Sequence, residues 1–205
     1  MGIRDLRHAE VNELYWQFVR AETDSDRYCG RYTVHLTSSL LKKVNGNLLT
    51  SMNGAEWDQL RAAVLAVRGG YVEHVVSLGT SWYVGGLPLP QLADVRVIGG
   101  YDPFLALAHD RKLETFVQAL DDGGIPPGDD GFAINYRNLR KKFDLRCMRG
   151  LPILLSTGPS GPFTEMEGLT RMSVLLSKYI RHEEVPEVID VMLGTSNRIF
   201  EWKFY

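Results

Sequence analysis

The segment from residue 151 to residue 193 leaves this chain little choice of fold class. Leu151–Leu155 is a short apolar run, Ser156–Pro162 (STGPSGP) is a turn rich in Gly and Pro, and Phe163–Glu167 is a second run of strand length. Gly168 breaks that run. Leu169–Ile180 then takes up helical spacing, which predicts Leu169, Met172, Leu175, Leu176, Tyr179 and Ile180 on the inner face and Thr170, Arg171, Ser173, Ser177 and Lys178 on the outer one. Val188–Leu193, following Pro186, reads as a further strand. A period of two giving way to a period of 3.6 across one glycine requires strands and helices in one layered core, the α/β (α+β) class.

The rest of the chain fills in around this frame. Apolar spacing predicts a helix over 5–22 with Asp5 as its N-cap, a short helix over 38–44, and a helix over 55–67 stopped by Gly69-Gly70. Residues 71–78 and 81–84 are β-rich, 85–90 is a connector, and 94–98 reads as a strand. A helix is predicted over 103–120, a loop over 121–131 (DDGGIPPGDDG), a basic helix over 135–149, and an alternating edge strand over 200–205. The chain therefore divides into a mainly helical N-terminal extension, 1–80, and a domain over 81–205. At 205 residues with a 44% hydrophobic fraction, it can bury a core without staples.

Several function classes are disfavoured. Cys29 and Cys147 stand far apart in no metal-ligand spacing, and the five histidines (His8, His35, His74, His109 and His182) form no i, i+4 ligand pair, so no metal site is expected. The N-terminus lacks an apolar leader and no stretch approaches a membrane span, so the expectation is a cytoplasmic protein with no membrane partner. A formal net charge of −2 does not advertise a dedicated nucleic-acid binder.

The strand–Gly–helix junction carries the chemistry. Gly168 can turn without a Cβ clash, and the helix after it opens with free N–H groups and the positive end of its dipole, which together receive phosphate or another anion. Arg171 could fork onto phosphate oxygens, Thr170 could add a hydroxyl donor, and Glu167 stands where it could hold a substrate group or a metal–phosphate. The same residues also read as solvated first-turn side chains beside a capping carboxylate. Ser156 and Thr157, in the hydroxyl-rich turn, could close over phosphate, or simply make a hairpin; the Walker A lysine and spacing are absent.

The order of apolar strand, Gly-containing turn, aromatic-led strand, Glu167-Gly168-Leu169-Thr170-Arg171, amphipathic helix and post-proline strand resembles the ParB/sulfiredoxin superfamily, whose members include sulfiredoxin, ParB partition NTPases, free-serine kinases and nucleases. The pentapeptide is similar to the Asp-Gly-His-Thr-Arg motif of the free-serine kinases. The resemblance is carried by 151–193 and extends at most over about 87–193. It implies a mixed sheet with flanking helices, ATP or another nucleotide with Mg2+ held at Gly168, Leu169, Thr170 and Arg171, and a phosphotransferase or NTPase activity toward a small-molecule or macromolecular phosphoryl acceptor. It also implies an upstream carboxylate base, for which Asp102 and Asp110 are the candidates beside Glu167, with Glu114 behind them. Leu169 stands where sulfiredoxin has its cysteine and the kinases their histidine, so sulfiredoxin chemistry is not implied.

A second constellation lies in Arg137–Arg149 (RNLRKKFDLRCMR). Arg137, Arg140, Lys141, Lys142, Arg146 and Arg149 stand against Asp144 alone, with Tyr136 and Phe143 interleaved. Such a patch could meet nucleic acid, stacking bases on the aromatics, or it could be a solvated helix face. With the helical N-terminal third, it supports the alternative of a non-enzymatic nucleic-acid- or protein-binding module; a ParB-like nuclease is a further alternative that the resemblance implies.

Overall fold

The computed structural model describes residues 2–22, 31–143 and 149–205. Its centre is a mixed five-stranded sheet, built from β1 (Arg4–Ala9), β2 (Ser81–Pro88), β3 (Ile153–Ser156), β4 (Thr164–Glu167) and β5 (Val188–Thr195) in the order β1-β2-β5-β3-β4. β3 and β5 run parallel, and every other neighbouring pair is antiparallel. The helices are α1 (Val11–Glu22), α2 (Ser38–Asn45), α3 (Gly54–Ser77), α4 (Asp102–Leu105), α5 (Leu113–Asp121), α6 (Asp130–Lys141) and α7 (Leu169–Ile180). The α/β (α+β) class is what the alternation of periods requires.

Strand alternation divides the core in two. Ile153, Leu155, Met166 and Met192 pack with Leu14, Trp16 and Phe18 of α1 and Leu60 and Val64 of α3. Leu154, Val191 and Leu193 pack with Phe116, Phe132 and the α7 residues Met172 and Leu175. Central β3 is buried at all four positions, as a strand covered on both faces must be. The described residues before residue 80 thus supply an edge strand and most of one covering layer of the sheet, which Ile199 and Trp202 complete.

Local expectations fail where a tertiary partner outweighs propensity. The helix expected over 5–22 begins only at Val11. Residues 4–9 instead pair with β2 (Arg7 opposite Val84, His8 opposite Tyr83), and Asp5, at φ 52°, is an irregularity in β1 and caps no helix. The β-rich run 71–78 is the second half of α3. Gly69 (φ 26°, ψ −117°) leaves helical geometry where the stop was expected, and beyond that kink helical backbone resumes, with Val72 and Val75 buried at helical spacing. Asn53 and Glu56 form the capping box at its start.

The helix expected over 103–120 is two helices parted at Arg111 (φ 62°), whose guanidinium binds Val97 O, Phe204 O and Tyr205 O. Residues 89–94 form a 3-10 turn, and Arg96 makes only isolated bridges, to Lys112 and Thr164. α6 starts at Asp130, capped by Asp129 accepting from Phe132 N at 3.1 Å, and so begins inside the stretch expected to be loop. The end of the chain is a 3-10 turn (Ile199–Glu201) that buries Trp202, with no edge strand there. No helix among the described residues is long and apolar enough to cross a membrane.

Candidate functional site

β4 hands directly into α7 through Gly168. That residue sits at φ 99°, ψ 14°, left-handed backbone that glycine adopts without penalty. A Cβ there would stand 3.0 Å from Arg171 Nη2 and 3.1 Å from Pro152 Cα. Gly168 is the N-cap, no side chain hydrogen-bonds the first turn from that position, and Met172 N reaches Gly168 O at 3.0 Å to close the turn. The N-cap residue therefore contributes no side chain to the helix opening, and the Leu169 N–H there faces the Glu165 carboxyl.

Around this opening lies a charged cluster built from three elements. Arg68 of α3 contacts Glu167 Oε2 through Nη2 at 3.4 Å, and Arg171 Nη2 lies 3.8 Å from Glu167 Oε1. Tyr71 of α3 donates to Met166 O at 2.8 Å. Desolvation first, then the Glu165 and Glu167 charges, push its phenol well above the usual range. Glu165 is 5% exposed. Burial, with the Glu167 charge next, pushes its carboxyl up to about 8, while Arg68, the Leu169 N–H and Arg171 pull the other way.

Arg171 does not take the expected outward position. It is buried, and Nη1 donates to Arg149 O and to Gly150 O, the latter at 2.7 Å. Ser173 and Ser177, also expected outside, are buried too, because α7 is wrapped on nearly every side and keeps only Thr170 and its last turn partly or fully exposed. Arg171 thus acts on the chain itself, holding the strand entry at 149–150 against the α7 opening. Glu167, Gly168, Leu169 and Arg171 do come together there, with Thr170 the partly exposed member.

The other candidates lie elsewhere. Ser156 and Thr157 are at the opposite end of the hairpin: Ile153 faces Glu167 and Leu155 faces Thr164, so the turn lies a strand length, about 13 Å, from Gly168. Ser156 Oγ accepts from Gly158 N at 3.2 Å and shapes its own turn. Asp110 accepts from Lys112 N at 3.0 Å and Thr115 Oγ1 at 2.8 Å, which ties it to the chain just ahead of α5; the Lys112 N–H foremost lowers its pKa, with burial opposing. Asp102 is exposed at the start of α4. Arg137, Lys141 and Lys142 are exposed, whereas Arg140 is spent on Ser177 Oγ at 2.9 Å and Glu183 at 3.1 Å. Arg146, Cys29 and Cys147 lie outside the described residues.

Sequence reasoning missed Glu165, Arg68 and Tyr71. Glu165 gave no usable signal: β4 is irregular, with Glu167 opposite Ile153 and Glu165 opposite Leu154, so simple alternation does not bring the two carboxyls together. Arg68 and Tyr71 carried none, because their run read as a helix end and a strand. A groove of about 300 Å³ lined by Phe143, Lys178, Glu184, Val185 and Pro186 lies at the far end of α7. No group of three or more metal-ligating side chains occurs among the described residues. The arrangement at Gly168 offers a helix opening with no N-cap side chain, two guanidiniums and two carboxyls, one of them favouring its neutral form: groups suited to receiving an anion and handling a proton. No protein-family model matches the chain, and no curated protein and no solved structure matches it.

Proposed function

We propose that this chain is a cytoplasmic nucleotide-binding protein of ParB/sulfiredoxin-like organisation, a phosphotransferase or NTPase that receives the phosphates, with Mg2+, at the opening of α7. The observation that carries this reading is Gly168, a left-handed N-cap that contributes no side chain to the helix start, beside a buried acid–guanidinium cluster. Amides of the first turn and the partly exposed Thr170 would contact phosphate oxygens. Arg171 would serve by holding residues 149–150 in place, and Glu167 by setting the Arg68 and Arg171 guanidiniums. Catalysis would be positioning plus charge stabilisation, with a carboxyl accepting the proton of the acceptor hydroxyl or water.

A thermal-shift series with ATP, ADP and GTP, with and without Mg2+, tests it, because a ligand that binds only the folded chain raises its Tm. A shift in the native chain that shrinks in Thr170→Ala is the expected result; no shift with any nucleotide overturns the reading. One observation favours a second reading: Arg137, Lys141 and Lys142 are all exposed at one end of α6. A nucleic-acid-binding module would show steeply salt-dependent binding that Thr170→Ala leaves intact.

A further inference from the structure

Among the described residues at the opening of α7, one carboxyl oxygen is left over by the chain's own hydrogen bonds. Glu165 Oε2 is buried and has no hydrogen-bond partner. Among the described residues, the charged and titratable groups facing this carboxyl are Arg68 and Tyr71 from α3, Glu167 from β4, and Arg171, with the Leu169 N–H, from α7. Both guanidiniums already contact Glu167, and the Tyr71 hydroxyl is committed to Met166 O. A charge on Glu165 would sit beside the like charge of Glu167 in a site closed to water, and the neutral acid is favoured accordingly. A neutral carboxyl carries its proton on one oxygen and is a hydrogen-bond donor there. A buried donor at the start of a helix lacks an acceptor, and the positive end of the helix dipole favours an anionic one.

We infer that Glu165 meets the ligand as a protonated carboxylic acid, donating from its unpartnered Oε2 to an anionic oxygen received at the opening of α7, so that anion affinity is linked to one proton. The inference rests on the nucleotide reading and adds to it a residue and a pH dependence. Because Oε2 is shut off in the free chain, the anion reaches it as the Arg68 side chain, 27% exposed, turns from Glu167 toward the ligand. Above the pH at which Glu165 loses its proton, binding must restore that proton before the contact forms. Below it the donor is already in place.

The experiment is calorimetric titration of ATP into the native full chain and into Glu165→Gln between pH 7.5 and 9.5, where the terminal phosphate is fully ionised. In the native chain, affinity is expected to fall about tenfold per pH unit above about pH 8. Glu165→Gln keeps a donor of the same shape and should bind with little pH dependence. Titration of the native chain at pH 8.5 in two buffers of different ionisation enthalpy should register proton uptake, a readout that needs no variant. Native binding that is flat with pH, a slope shared by Glu165→Gln, a folded Glu165→Gln that binds no ATP, or absence of proton uptake overturns the inference while leaving the nucleotide reading standing. A native chain that binds no ATP at any pH removes the nucleotide reading and this inference with it.

Discussion

The two ends of α7 carry polar clusters of similar make-up and opposite character. At the C-terminal end, Asp121 accepts from Tyr136 at 2.6 Å, from Ser177 at 2.7 Å and from Arg181 at 3.2 Å. Arg140 extends that network from Ser177 to Glu183, which Lys178 also contacts. The Asp121, Tyr136 and Ser177 side chains all find partners there. Although burial is the largest single influence and pushes the Asp121 pKa up, the hydrogen bonds from Tyr136, Ser177 and Arg181 together bring it below the usual range. At the N-terminal end, Glu165 has an oxygen with no partner, and its pKa moves the other way. A buried acid surrounded by its own donors is a latch that ties helices together. A buried acid left short of partners is a cost to the fold, on the order of 1–3 kcal/mol, which a chain retains most readily where a ligand relieves it.

The comparison is broken most severely by Arg171→Ala. It removes the guanidinium from the Arg149 and Gly150 carbonyls and leaves Glu167 with one cation fewer, at an expected loss of about 3–5 kcal/mol in chemical denaturation. A loss under about 1 kcal/mol would mean that the buried arginine does not hold the site together.

Next comes the pH dependence of stability. Glu165 is raised in the folded chain from its ordinary 4.5 to about 8, so the folded state binds the proton more tightly than the unfolded chain does. Its contribution is fully present below pH 4.5, is lost as the pH rises through the interval to about 8, and is constant above that. The slope in that interval should approach about 1.4 kcal/mol per pH unit in urea titrations of the native chain, and Glu165→Gln should flatten it. Equal slopes in the two chains would place the proton elsewhere.

The smallest expected effect is at the satisfied end. Asp121→Ala strands the Tyr136 and Ser177 hydroxyls and should cost about 2 kcal/mol, with nucleotide affinity unchanged if the two ends of α7 do separate work. Loss of ligand binding in a folded Asp121→Ala chain would erase the distinction between latch and site.

What the sequence determined by itself is the local order of elements wherever period and punctuation agree: β3, β4, Gly168, α7 and β5 stand close to their expected bounds, because alternation, a single glycine and a 3.6-residue stripe are properties of the chain alone. That places Glu167, Gly168 and the start of α7 side by side before any tertiary contact is known. Only the tertiary structure decided which way the charged side chains turn. Arg171 has the look of a solvated first-turn residue until α7 is seen wrapped on nearly all sides, with the nearest acceptors being backbone carbonyls 21 and 22 residues earlier in the chain. Arg68 and Tyr71 reach Glu167 and Met166 across 99 and 95 residues, through a helix whose Gly-Gly reads locally as a stop. β1 is a strand because β2 offers it an edge, not because its residues prefer one. Hydrogen bonds and ion pairs between distant segments are set by packing, and no period in the sequence encodes them.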